Sequence, residues 1–130
     1  MRKSVLALVL VAASAIALPA FAADAPAVVR KVLQQNDIAG GQTLSVVEVT
    51  IPVGGREGRH THPGPLALYV ISGAISLDHE GKANITYKPG QTFFVESGKV
   101  HEGINRGAVP FVGIATFITP KGQSLTTQVK

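Results

Sequence analysis

The sequence has no cysteine and no tryptophan, and its aromatic residues are two tyrosines and five phenylalanines. The absence of cysteine excludes disulfide bonds, thiol catalysis and thiolate metal ligands. The lysines and arginines are scattered and form no basic run interleaved with aromatic residues, so the chain lacks the pattern of a nucleic-acid-binding protein. Core packing must therefore stabilise the fold, and a metal site would need histidine or oxygen ligands.

The one long apolar run lies at the N-terminus. Met1-Arg2-Lys3 precedes an uncharged apolar segment, Val5 to Leu18, and Ala20-Phe21-Ala22 follows it as a small-x-small cleavage site. This order is typical of a secretory signal peptide, and the run is shorter than the roughly 20 residues of a membrane span. We predict a signal peptide over residues 1–22, a periplasmic or secreted protein, and no contact with the membrane after cleavage. Residues 1–22 contain two bases and no acid, so their removal lowers the formal charge from +4 to +2.

Residues 23–130 have the pattern of a single all-β domain. The candidate strands are short, rich in Val, Ile, Thr and Phe, and bounded by Gly, Pro, Asn and Asp. They cover 28–34, 42–52, 57–62, 66–72, 74–79, 83–88, 91–95, 100–105 and 110–118. Hairpin signals occur at Gly54-Gly55, at 78–81 and at Pro89-Gly90. Many short strands at close spacing predict an antiparallel sandwich or barrel.

His60-Thr61-His62 is the first sign of a functional site. Side chains alternate along a strand, so these two imidazoles lie on one face, about 7 Å apart, and both can reach one ion. Such a pair is also common on ordinary protein surfaces. His101 lies in a later candidate strand, and it joins the pair only if the fold brings it opposite.

The spacing around these histidines resembles the two signature motifs of the cupin family. Gly54, the H-x-H pair and Gly73 fall at the offsets of the first motif. Gly90, Gly98, His101 and Asn105 fall at the offsets of the second motif. The resemblance covers about Val28 to Ile118. It implies an antiparallel jelly-roll β-barrel in which His60, His62 and His101 converge on an internal divalent metal ion.

Two positions depart from the cupin pattern. Leu66 stands where the first motif has a glutamate, normally the fourth metal ligand, and Glu96 stands where the second motif has a proline. Three neutral imidazoles would leave the full charge on a divalent ion, which makes it a stronger Lewis acid. The resemblance is compatible with Fe, Zn, Mn, Ni or Cu.

The other polar and aromatic residues receive simpler interpretations. We expect His79 to be exposed at a hairpin tip, Glu96 to be a solvated turn acid, and Glu102 to be structural or exposed on the face opposite His101. Asn105 is expected to fix a turn, or else to support a histidine. Arg59 is expected at the rim of the site. The aromatic residues are assigned to the core, namely Tyr69, Phe93, Phe94, Phe111 and Phe117.

Three functions fit this sequence. The first is an exported metal-binding cupin, with a small-molecule dioxygenase or a related metalloenzyme as the leading enzymatic hypothesis and no catalytic residue assigned. The second is a non-catalytic barrel that binds a small ligand such as a sugar or an organic acid. The third is a metal-free dimeric scaffold. Small cupins commonly form homodimers, and we expect one here, since the apolar strand 28–34 could cross to a neighbouring copy.

Overall fold

A computed structural model describes residues 26–130, and all structural statements below concern these residues. The predicted signal peptide lies outside them. In the described part of the chain, no helix has the length and apolar character to cross a membrane.

The described chain folds into ten β-strands in two antiparallel sheets. The strands are β1 (Val29–Ile38), β2 (Gln42–Ile51), β3 (His60–Thr61), β4 (Leu66–Ser72), β5 (Ile75–His79), β6 (Ile85–Tyr87), β7 (Thr92–Val95), β8 (His101–Ile104), β9 (Phe111–Pro120) and β10 (Thr127–Gln128). Sheet 1 has the order β1-β2-β9-β4-β7, and sheet 2 has the order β10-β3-β8-β5-β6. Apart from β1–β2 and β5–β6, neighbours in each sheet are not consecutive in sequence, as in a jelly roll. The prediction of an all-β jelly-roll barrel is confirmed.

The core lies between the two sheets and follows the alternation seen in the sequence. In β2, Val47, Val49 and Ile51 are buried and their neighbours point outward. In β9, Phe111 and Phe117 are buried with the same period of two residues. The strands β2, β4, β7 and β9 of sheet 1 therefore present a mainly apolar face to the barrel interior, and burial of these faces is the main stabilising force.

Two details of the predicted strands are wrong. The turns at Gly54-Gly55 and Pro89-Gly90 do not form hairpins, because β2 and β7 belong to sheet 1 and β3 and β6 to sheet 2; each turn carries the chain from one sheet to the other. The C-terminal strand β10, which pairs with β3, was not predicted. A two-residue strand is too short to show a period of alternation.

Tyr69 and Phe94 are not core residues, which corrects the prediction from their aromatic character. They are 49% and 56% exposed. Both occupy outward positions, because their neighbours in the strand, including Leu68, Phe93 and Val95, point into the barrel. Burial is decided by the parity of the strand rather than by residue type.

Two residues of the sequence motifs, Asn105 and Gly73, have structural roles in the segments between strands. The Asn105 side chain is buried; its Nδ2 donates hydrogen bonds to the carbonyls of Ile51 and Val109, and its Oδ1 accepts one from the Gly107 amide. Asn105 therefore fixes a turn, as expected. Gly73 has φ of 69°, and an added Cβ would lie 2.4 Å from the carbonyl oxygen of Pro110, so this position requires glycine.

Candidate metal centre

The barrel interior brings together the three histidines singled out by the sequence. In the β3–β8 ladder His60 lies directly opposite His101, and His62 follows two residues later on the same side. All three side chains are buried, with exposed fractions of 2%, 5% and 3% for His60, His62 and His101. One ring nitrogen from each lies within 4.8 Å of the others. His101, which is distant in sequence, therefore joins His60 and His62, as the family resemblance implied.

Each of these imidazoles is oriented by a backbone carbonyl. The Nδ1 atom of His60 lies 2.7 Å from the Gly58 oxygen, that of His62 lies 2.6 Å from the Leu125 oxygen, and that of His101 lies 2.9 Å from the Lys99 oxygen. A carbonyl can only accept, so Nδ1 carries the proton in all three rings. The Nε2 lone pairs of the neutral rings are then free, which is the tautomer of a metal-ligating histidine.

The surroundings keep two of these rings uncharged. Burial lowers the pKa of His62 from 6.5 to about 4, against the opposing effect of the hydrogen bond to Leu125. Burial likewise lowers the pKa of His101 to about 4, against the hydrogen bond to Lys99. The neighbouring histidines add to both shifts by repulsion. At neutral pH the two rings are unprotonated and need lose no proton to bind an ion.

A buried carboxylate fastens β8 to the segment before β3. Glu102 is 1% exposed, and its two oxygens accept hydrogen bonds of 2.6 Å from Nε and Nη2 of Arg56. Oε1 also accepts the amide of Gly58, the residue whose carbonyl orients His60. The Arg56 guanidinium lowers the pKa of Glu102, which stays ionised. The structural role expected of Glu102 is confirmed, but its link to a ligand could not be read from the sequence.

The three histidines line one side of a cavity of about 110 Å³. Most of the remaining wall is apolar, and it includes Leu66, which is 4% exposed. Leu66 pairs with Phe117 in the β4–β9 ladder, and the Phe117 ring packs edge-on against His62 with 4.9 Å between centroids. The residue that replaces the usual glutamate therefore does lie at the histidine site.

His79 is buried, which corrects the expectation that it is exposed. It lies opposite His101 in the β5–β8 ladder, so it extends the His60–His101 row by one strand and shares their inward face. Its ring centroid is 6.2 Å from that of His101, and it does not line the cavity. Its Nε2 lies 3.2 Å from Oε2 of Glu96 without the alignment of a hydrogen bond. His79 therefore stands behind His101 and outside the group of three.

Glu96 and Arg59 are on the surface, as expected. Glu96 is partly exposed and accepts a hydrogen bond from Lys82, which lowers the pKa of its carboxyl group. Arg59 pairs with Asp78 at 3.3 Å, and both side chains are exposed. Neither residue points toward the three histidines as a further ligand.

The histidine site makes the metal-free protein sensitive to acid. The unfolded chain binds protons on His62 and His101 near pH 6.5, whereas the folded chain does so only near pH 4. Between these values the unfolded state holds more protons, so the free energy of unfolding should fall as the pH is lowered. Above pH 6.5 both rings are neutral in both states, and this dependence should vanish.

Urea unfolding at several pH values between 7.5 and 4.5, with chelator present, measures the effect. At its acid end this window approaches the ordinary glutamate pKa of 4.5, and Glu102, whose pKa the Arg56 guanidinium lowers, contributes equally to proteins that differ only in their histidines. A protein with both His62→Gln and His101→Gln should show a shallower slope of stability against pH, and an unchanged slope would contradict the assignment. His79 has a lowered pKa for the same reason and contributes equally to both proteins.

Comparison with known structures gives barrels of the same kind. A conserved protein with a double-stranded β-helix domain from Klebsiella pneumoniae is 21% identical, with a TM-score of 0.63 over 79% of this chain and 84% of that chain. A cupin-like protein from Thermotoga maritima is 22% identical, with a TM-score of 0.67 over 78% and 75%. The DMSP lyase DddQ from Ruegeria pomeroyi is 21% identical, with a TM-score of 0.60 over 66% of this chain and 43% of that one. At these identities the likeness shows the fold alone.

The family is established by the sequence itself. No curated protein matches this sequence. The family model for the cupin domain matches residues 47–117, more than half of the chain, and this stretch contains all three clustered histidines. Together with the two antiparallel sheets and the cupin structures that share them, the match shows that this chain belongs to the cupin domain family.

Proposed function

We propose that this cupin binds one divalent transition-metal ion through the Nε2 atoms of His60, His62 and His101. The observation that carries the proposal is the shared orientation: three backbone carbonyls each accept a hydrogen bond from an Nδ1–H group, and one ring nitrogen from each histidine lies within 4.8 Å of the others. Metal-ligating histidines usually donate their other ring N–H in this way. Nitrogen ligands and an apolar wall suit Fe, Zn, Mn, Ni or Cu better than Mg or Ca.

The ligand set leaves the charge of the ion uncompensated. Three imidazoles are neutral, and Leu66 adds no carboxylate. A bound ion would supply a strong Lewis acid with open coordination positions. The protein contributes the rest: Leu66 and Phe117 exclude water from one side of the histidines, and the small cavity restricts what can approach them.

The enzymatic form of the proposal is a small-molecule dioxygenase or a related metal-dependent oxidoreductase. A facial set of histidines with open positions suits Fe(II) for oxygen chemistry. Oxygen uptake by the iron-loaded protein with small thiols, diketones or phenols separates an oxygenase from a protein that only binds a ligand. The leader predicted over residues 1–22 would place this activity in the periplasm or outside the cell.

Metal analysis of the purified protein tests the site directly. Wild-type protein, loaded with zinc and then dialysed, should retain about one ion per chain, and His60→Ala or His101→Ala should retain much less than one. His79→Ala is the matched control, because this buried histidine shares the same row but lies outside the cavity. Failure of the wild-type protein to retain zinc, iron, nickel or copper would falsify the proposal, and loss of metal in His79→Ala would show that the ligand set is wrong.

Leu66→Glu tests the charge argument. A carboxylate at residue 66 would lie beside the histidines and partly neutralise the ion, so metal affinity should rise by about tenfold or more. Burial of the new carboxylate should lower the stability of the metal-free protein. Leu68→Glu is the control: it is buried on the same face but two residues further along β4. If both variants bind metal equally, residue 66 has no special place at the site.

A further inference from the structure

The cavity of the three histidines has a charged mouth that the proposed metal site does not use. Among the described residues that line it, Arg30 and Glu57 are the only charged side chains. Arg30 points inward from β1, because it pairs with Val49, which lines the same cavity.

The two charged groups differ in how far their hydrogen bonds are satisfied. Glu57 accepts from Arg30 Nη2 at 2.9 Å through Oε1 and from the Gly103 amide at 3.2 Å through Oε2, so both oxygens are engaged. Within the described residues Arg30 makes only the one hydrogen bond, although a guanidinium carries five N–H donors. Its side chain is 39% exposed, whereas that of Glu57 is 13% exposed. The mouth therefore offers unused donors on Arg30 to an incoming acceptor, whereas each oxygen of Glu57 already accepts a hydrogen bond.

We propose that the cavity binds a short-chain carboxylic acid whose carboxylate group pairs with Arg30. The proposal rests on the proposed function for the other end of this ligand, which would face the metal site. The guanidinium is the group best matched to a carboxylate in geometry and charge. Behind it the wall is apolar, with Val32, Val47 and Leu77 among its residues, and suits a hydrocarbon chain. The cavity is smaller than the ~150 Å³ that accommodates benzene, so the chain should have about four carbon atoms.

Calorimetric titration with butyrate and with its uncharged analogue butyramide tests the subsite. The purified protein is titrated in the zinc-loaded and the metal-free state. Arg30→Gln should weaken butyrate binding about tenfold or more and leave butyramide binding and zinc content unchanged. Glu57→Gln should tighten butyrate binding, because it frees the guanidinium from its anionic partner. Arg106→Gln, at an exposed arginine in the turn before β9, should change neither.

The outcomes separate this proposal from that of the metal site. If the wild-type protein does not retain zinc but still binds butyrate in a manner that depends on Arg30, the metal site is overturned and the carboxylate subsite is supported. Zinc retention with butyrate binding unchanged in Arg30→Gln would overturn the subsite. Absence of butyrate binding to the wild-type protein in both states would also overturn it. If the pair is merely structural, both Arg30→Gln and Glu57→Gln should lower the melting temperature and leave the butyrate affinity unchanged.

Discussion

The ion pair between Arg56 and Glu102 is the contact on which the geometry of the histidine cluster depends. The strand β3 has two residues and pairs with β8 only at His60 and His101, which is too little to fix a register alone. Residues 54–57 continue the pairing with β8 and Asn105 through backbone hydrogen bonds and a bridge between Arg56 and Ile104. Glu102 adds a side-chain constraint, because its carboxylate holds both Arg56 and the Gly58 amide against β8. A buried carboxylate that lost these donors would be strongly unfavourable, so the two segments are held together.

This contact links the outside of the barrel to its interior. Glu102 and His101 are neighbours in the chain and point to opposite faces of β8. Outside, Glu102 positions Gly58; inside, the carbonyl of Gly58 orients the His60 ring. The Gly98 amide, in the second motif, donates to the carbonyl of His62, in the first. The two motifs are thus joined by backbone hydrogen bonds as well as by the three imidazoles.

The sequence was sufficient to predict the fold and the three histidines because both depend on regular spacing. Alternation along β2 and β9 identifies the buried faces, and glycines at fixed offsets place His60, His62 and His101 in one barrel. The residues that were assigned wrongly, such as His79, are those whose environment depends on which strands lie next to one another. His79 is buried because β5 lies beside β8, and a local turn signal carries no information about that neighbour.

The contact between Arg30 and Glu57 also could not be predicted from the sequence. They are far apart in sequence and unremarkable in type, and they meet only because β1 forms the edge of sheet 1 beside the cavity. Tyr69 and Phe94 were assigned to the core from their aromatic character, whereas their strand parity places them outside. Long-range pairing decides the meeting of Arg30 and Glu57, whereas the alternation of Leu66, Leu68 and Val70 within β4 already indicates that Tyr69 points outward.

The carbonyls that orient the three imidazoles are held with unequal firmness. Those of Gly58 and Lys99 belong to segments enclosed by β3 and β8, whereas that of Leu125 belongs to the C-terminal segment. The Leu125 side chain packs against the core, but within the described residues the end of this segment is attached to the β3 region only by the two residues of β10 and the amide of Val129. Brief detachment of the tail would release the His62 ring first. The exchange rate of any ion held at this site would then report on the opening of the tail, and a fusion tag placed after Lys130 would alter that rate without touching a ligand.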